Sequence, residues 1–323
     1  MANQFYHTVL NSPIAPCYPA MAVMEPTNLC NQACDYCPTG MGILKRPQGI
    51  MALGQFKRII DQIGPYLAYI ELYNMGEPLL NKEIYSMISY AKSKYPAYIK
   101  VDTNGMVLDP KKLIESGLDE IWFQIGGITQ DTHTTYRSNG DIGQVFENMR
   151  RLLEERKKQP HSKLKIKAGM IVMKHNEHEI EDFLNLKKTL GVDEAMLIKP
   201  TVKDVEQGRR FLPSDPSLWV YDRESFEGGK LVRKGAHPEK CPISWNSVFV
   251  AWNGDVYPCI KDNNNEYKLG NMLQEDFRSI WNGQKAKYFR RSKVSREKLK
   301  MCAMCPGYGA MPWFNHYYIN CNH

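Results

Sequence analysis

Cys30, Cys34 and Cys37 fall within eight residues of one another in the segment EPTNLCNQACDYCP, spaced CxxxCxxC. Three thiols this close cannot all enter disulfides, but as thiolates they can wrap a metal centre. Two centres suit the set. A 4Fe–4S cluster is ordinarily held by four thiolates, so three leave one iron open to a further ligand. A structural zinc ion would instead need a fourth ligand from elsewhere in the chain. CxxxC running directly into CxxC, just after the first strand of an α/β pattern, favours the cluster.

A second group follows far along the chain. Cys241 and Cys259 frame an expected hairpin as C-x12-G-x4-C, with Gly254 in the turn, and Cys302-Ala303-Met304-Cys305 returns later. Four thiolates from a hairpin and a distant CxxC can close a complete four-cysteine site, and spacing leaves zinc and iron–sulfur both open. Cys17 and Cys321 are left over as ordinary thiols, unless the C-terminal tail brings Cys321 in place of one of the four.

The elements that must position these cysteines repeat a simple rhythm. β-rich runs at Met21–Met24, Tyr69–Asn74, Tyr98–Thr103, Glu120–Ile125, Lys165–Met173 and Glu194–Lys199 alternate with amphipathic helical runs such as LGQFKRIIDQIG and DIGQVFENMRRLLEERKK. Repeated strand–helix alternation predicts a parallel α/β sheet, with ligands at the carboxyl ends of its strands. The expected division is a core at 1–200, a Pro- and Gly-bearing linker or insertion over the active-site face at 201–240, and a smaller domain at 241–323. In the last, WNSVFVAW, Asn253-Gly254 and DVYP read as a two-residue-turn hairpin, followed by a helix around Gln274–Trp281.

Composition adds bounds. With 323 residues, 43% hydrophobic and 24% charged, the chain has room for a real core. No apolar run approaches the length of a bilayer span, and the N-terminus lacks a signal-peptide pattern. A cytoplasmic protein with no membrane partner is therefore expected. Nine cysteines in that compartment direct attention to metal rather than disulfides. The net charge is +7. Gln284–Lys300 carries eight Lys or Arg against one Glu, a patch that could meet phosphates, but no base-stacking platform interleaves it and a nucleic-acid role is not favoured.

The first cysteine segment and the motifs behind it resemble the radical S-adenosylmethionine (SAM) superfamily over residues 20–200. The resemblance implies a partial (β/α)6 barrel, in agreement with the six expected strands. It also implies that the open iron chelates SAM and that an electron from the cluster breaks the sulfonium to a 5′-deoxyadenosyl radical. Tyr36 matches the aromatic position of CxΦC, against the adenine. Asn74-Met75-Gly76-Glu77-Pro78 is similar to the GGEP motif that receives the SAM amino group, with Met75 replacing one glycine. Thr103-Asn104-Gly105 resembles TNG near the ribose and carboxylate, and Arg137 matches an arginine that pairs with the carboxylate. Where relatives often read S-x-D-G, this chain has Gln124-Ile125-Gly126-Gly127, so Gln124 either substitutes for that contact or faces substrate.

CP-x-x-W at Cys241–Trp245, GDVYPC at Gly254–Cys259 and LGN at Leu269–Asn271 resemble the SPASM/twitch extension of these enzymes, which carries auxiliary 4Fe–4S clusters. The run stops at CxxC, leaving Cys241, Cys259, Cys302 and Cys305 for one cluster. That is the shorter twitch type, as in 2-deoxy-scyllo-inosamine dehydrogenases. The resemblance implies oxidation of a carbinol in a sugar, aminocyclitol or similar polyol, with the auxiliary cluster accepting an electron and a flavodoxin or ferredoxin as reductant. Candidates for the base are Lys199, Arg209, Arg210 and Glu194, with His175 a weaker one. Alternative readings are a peptide or protein maturase, a redox-neutral epimerase, dehydratase or decarboxylase, and, outside catalysis, a zinc module for nucleic acid.

Overall fold

The computed structural model describes residues 11–234, 241–294 and 299–303. Six parallel strands run in sequence order: β1 (Met21–Met24), β2 (Tyr69–Leu72), β3 (Tyr98–Thr103), β4 (Glu120–Ile125), β5 (Lys165–Ile171) and β6 (Glu194–Ile198). All six expected strands are present; β2, β5 and β6 end one or two residues early, where their chains turn into the site loops. Each crossover places helix on one face of the sheet. The helix Leu53–Ile63 shows why: Phe56, Ile59, Ile60 and Ile63 recur at helical spacing and are all buried, each burial contributing roughly 1.5–3 kcal/mol. Asp109, Thr129 and Asp141 cap the starts of three further helices with their side chains.

Along each strand every second residue meets those helices. Ile70, Leu72, Ile99, Val101, Ile121, Phe123, Ile166 and Met170 belong to one buried apolar cluster with the helices. The other parity forms the inner face, and there the sheet changes character. Across β1 it is Met21 and Val23; from β2 to β6 it carries Glu71, Lys100, Asp102, Glu120, Trp122, Gln124, Lys167 and Glu194.

The C-terminal hairpin does not make a sheet of its own. β7 (Ser247–Val250) lies parallel to β1, and β8 (Asp255–Tyr257) and β9 (Gly270–Asn271) follow antiparallel, giving the order β6-β5-β4-β3-β2-β1-β7-β8-β9. The expected helix after it spans Phe277–Trp281. Residues 201–234 hold two short helices, Val205–Phe211 and Arg223–Glu227, around a small cluster of Val202, Leu212, Trp219, Val220, Tyr221 and Phe226. Among the described residues, no helix is long and apolar enough to cross a membrane.

Candidate functional site

The carboxyl ends of β1, β2 and β3 converge on the loop that carries Cys30, Cys34 and Cys37. Two glycines let the chain pack against itself there. A Cβ at Gly40 would lie 2.3 Å from the Cys34 nitrogen, so the turn after Cys37 closes over Cys34 only without a side chain. Gly76 has φ +113° and its Cβ would meet Thr27 O at 2.6 Å. The next residue, Glu77, donates its N–H to Leu29 O at 2.8 Å, stitching β2's end to the cysteine loop.

Glu77 is the hinge of this corner. Thr103 Oγ1 and the Leu79 N–H donate to its Oε1 at 2.7 and 3.0 Å, and the Asn104 N–H donates to Oε2 at 2.6 Å. Burial nonetheless pushes its carboxyl up to about 6. Asn104 Nδ2 donates to Asn31 Oδ1 at 2.7 Å and lies 3.9 Å from Cys30 Sγ. Arg137, at the end of the helix Gln130–Tyr136, is buried with Nη1 3.5 Å from Gln32 Oε1. Arg137 Nε and Gln32 Nε2 are both buried without a partner. Burial raises the Cys34 thiol to about 11, while the Arg137 guanidinium pulls it the other way. Tyr36 stacks edge-on against Tyr136 and Phe211, and its hydroxyl reaches Thr201 Oγ1 at 3.3 Å. The residues of all four motifs thus surround one loop.

The second group sits beyond β1. Cys259 is buried just after β8, and Cys241 packs against the buried cluster formed by Met21, Val23, Ile243, Phe249, Ala251 and Tyr257. Cys302, in the helix Lys300–Ala303, is contacted at its sulfur by Lys293 Nζ. Cys305 and Cys321 lie outside the described residues. Among the described residues no three His, Cys, Asp or Glu side chains converge at single-ion spacing; a cubane spreads its thiolates over separate irons. One buried network joins the two groups. Arg46, nine residues after Cys37, grips Glu25 with both guanidinium arms and donates to Asn263 O at 2.8 Å. Asn74 Nδ2 donates to Glu25 Oε2 at 3.2 Å and to Tyr257 Oη at 2.6 Å.

Two family profiles match the chain: the radical SAM superfamily over residues 24–186, and SPASM, an iron–sulfur cluster-binding domain, over 241–306. The chain belongs to the radical SAM superfamily. A GTP 3′,8-cyclase of Clostridium acetobutylicum is 30% identical over 308 residues, covering 85% of this chain and 93% of its own. An AdoMet-dependent heme synthase of Oleidesulfovibrio alaskensis is 21% identical, covering 87% and 78%. Among solved structures, BtrN in complex with AdoMet and 2-DOIA superposes with TM-score 0.57 at 18% identity, over 94% of this chain and 99% of that one. Streptococcus suis SuiB bound to S-adenosylmethionine gives TM-score 0.62 at 14% identity, over 94% and 76%. These two likenesses show the fold.

As a radical SAM enzyme with a SPASM domain, the protein uses a SAM-binding 4Fe–4S cluster and an auxiliary iron–sulfur cluster. The residues present fit the first: three soft thiol donors, a glycine cradle, and two orphaned buried donors, Arg137 Nε and Gln32 Nε2, beside them. The base candidates separate in space. Lys199 follows β6 at the carboxyl end, donates to Ser217 O at 3.2 Å, and is held below its ordinary range by burial and then by Lys234. Arg210 pairs with Asp35 of the cysteine loop at 2.6 Å. Arg209 is exposed. Glu194 opens β6 at the opposite end and binds Lys167 at 2.9 Å. His175 is partly buried and pushed down by that burial. Gln124 donates to Asp102 Oδ1 at 3.1 Å on the inner face.

Sequence reasoning passed over Gln32, Gly40, Arg46 and Glu71. Only Glu71 carried a readable signal: a carboxylate in a strand otherwise buried on both faces. The basic stretch after Gln284 also differs from a solvated face. Arg290 is buried, donating to Ser244 O at 2.7 Å and Trp281 O at 2.8 Å, and its guanidinium is pushed down to about 10.

Proposed function

We propose that Cys30, Cys34 and Cys37 hold the SAM-binding cluster and that Cys241, Cys259, Cys302 and Cys305 hold the auxiliary one, in an enzyme that oxidises a carbinol of a small sugar, aminocyclitol or polyol. When bound, the first centre with SAM supplies hydrogen-atom abstraction and the second an electron sink. The chain's own residues supply placement. Tyr36, with Tyr136 and Phe211 behind it, offers an apolar face for the adenine. Gly76 brings backbone against the cysteine loop, where the SAM amino group belongs. An ionised carboxylate has about four lone-pair sites; Glu77 uses three on Thr103, Leu79 and Asn104 and keeps one for that ammonium. Thr103 and Asn104 line the ribose side. Arg137, its Nε unpartnered, suits the SAM carboxylate, and Gln124 faces the substrate.

The observation that supports the reading is that Cys241 packs against the buried cluster containing Met21 and Val23, the inner-face residues of β1. Lys199 Nζ, lowered in pKa at the carboxyl end of β6, is the candidate to take the hydroxyl proton. A flavodoxin or ferredoxin is the expected electron donor. The 30% identity to a GTP 3′,8-cyclase favours a second reading, redox-neutral bond formation on a larger substrate.

Anaerobic reconstitution tests the assignment. About eight irons per chain, 5′-deoxyadenosine on reduction with SAM, and a product two hydrogens lighter than its substrate support oxidation. A product isomeric with its substrate supports the second reading. Stoichiometric zinc without 5′-deoxyadenosine contradicts both.

A further inference from the structure

The turn that follows β2 is anchored from the auxiliary side of the sheet. Asn74 has φ +138° and Gly76 φ +113°, two positive values within three residues that turn the chain back onto the cysteine loop, where the Glu77 N–H meets Leu29 O at 2.8 Å. Glycine takes such a φ freely. Asparagine does so in the left-handed basin, at about +57°, and Asn139 and Asn265 sit there at +64° and +57°. Asn74 lies well outside that basin. A backbone of this kind persists where its surroundings over-determine it.

Those surroundings are the partners of its own side chain. Asn74 Nδ2 donates to Tyr257 Oη at 2.6 Å and to Glu25 Oε2 at 3.2 Å. Tyr257 is buried on β8, two residues before Cys259, and burial holds its hydroxyl well above the ordinary range, so the phenol stays neutral. Glu25 is fully buried and paired with Arg46, whose side chain is only 6% exposed. The segment around Arg46 is in turn tied to the C-terminal loops. Arg46 Nε donates to Asn263 O and the Lys45 N–H to Asn264 Oδ1, both at 2.8 Å, and Trp252 Nε1 donates to Pro47 O at 3.2 Å. Glu77 pins the far end of the turn to Leu29, Thr103 and Asn104. Asn74 pins the near end to the hairpin.

We infer that Asn74 is a positioning residue: tied to Tyr257 and Glu25, it holds the Asn74–Glu77 turn against the cysteine loop, so that the hairpin bearing Cys259 sets how tightly SAM binds. The inference rests on the proposed reading that Gly76 and Glu77 receive the SAM amino group. The effect passes through the backbone of Met75 and Gly76, and it belongs to SAM affinity rather than to cleavage of the sulfonium.

The test uses the reconstituted chain under anaerobic conditions. SAM is titrated into the reduced protein, and the component of the electron paramagnetic resonance signal that responds to it gives a dissociation constant. Formation of 5′-deoxyadenosine gives KM and kcat for SAM in the same samples. Tyr257→Phe removes one partner and leaves the residues of the turn intact. SAM should bind several-fold more weakly to it, with KM raised, kcat kept and iron content unchanged. Asn74→Ala removes the tether but keeps a Cβ at the unfavourable φ, and should weaken SAM binding roughly tenfold or more. The double variant should lose no more than Asn74→Ala alone, because a single bond joins the two side chains. If Asn74→Ala fails to take up iron, Tyr257→Phe decides. Unchanged SAM affinity in Tyr257→Phe, effects that add in the double variant, or a fall in kcat at constant KM overturns the inference. A wild type whose signal ignores SAM and that forms no 5′-deoxyadenosine would instead count against the proposed function.

Discussion

The first proposed cluster site takes all three thiols from one loop, whereas the second proposed site draws on Cys241 before a short helix, Cys259 after β8 and Cys302 in the helix Lys300–Ala303. The loop is pinned locally, by Gly40 beneath Cys34, Gly76 against Thr27, and Glu77 bonded to Leu29, Thr103 and Asn104. The second site inherits its position from the sheet, because β7 is registered on β1. A local site stands or falls with a few contacts. A distributed one depends on how distant segments dock. Damage to the two should therefore separate.

The sharpest separation is expected from the ligands themselves. Cys30→Ala should abolish 5′-deoxyadenosine formation altogether. Cys302→Ala and Cys305→Ala should remove substrate turnover while uncoupled SAM cleavage continues. Chromatography of the nucleoside beside the product checks both, and equal small effects from all three would erase the proposed division of labour.

What could be read from the chain tracks the same contrast. The cysteine loop, GEP, TNG and the six strands were legible because ligand spacing and strand–helix rhythm are short-range properties. Glu71, Lys100, Glu120 and Lys167 were present in the strand text yet unread: parallel strands buried on both faces normally read as continuous apolar runs, so their alternation already marked a polar interior. The pairing of β7 with β1 and the grip of Arg46 on Glu25 join residues far apart in sequence, and nothing local encodes them. Gln284–Lys300 read only as a basic patch because a composition count cannot tell that Arg290 packs inward.

A smaller lesion should strike one site only. In Gly40→Ala the new Cβ forces the backbone away from Cys34, a strain of roughly 1–3 kcal/mol. Iron analysis should show loss of the first cluster, about four of eight irons, with the second retained; full occupancy would mean that the turn tolerates the methyl group.

The network between the sites should behave differently from either. Tyr257→Phe removes the acceptor for Asn74 Nδ2, at a cost of roughly 1–3 kcal/mol. Denaturant titration should register this as a lower midpoint at unchanged slope, and an unshifted midpoint would make the bridge incidental.

The mildest effect is one of pH. Glu71 is raised by burial from 4.5 to about 7, with Lys100, Asp102, Tyr69 and Tyr73 as its charged or titratable neighbours. The folded chain therefore binds the extra proton. Stability from this group is complete below pH 4.5 and is lost as pH rises toward and through about 7. Denaturation midpoints of wild type and Glu71→Gln should diverge across that window, wild type falling more steeply; parallel curves would show that Glu71 ionises freely.

Electron paramagnetic resonance on the Cys302→Ala/Cys305→Ala double variant, reduced and then given SAM, isolates the first site. Its remaining four-iron signal should change in shape and g-values when SAM is added, because the proposed ligand set of Cys30, Cys34 and Cys37 would leave one iron without a protein thiolate and open to SAM. A signal from that cluster that SAM leaves unaltered would contradict the account at its root.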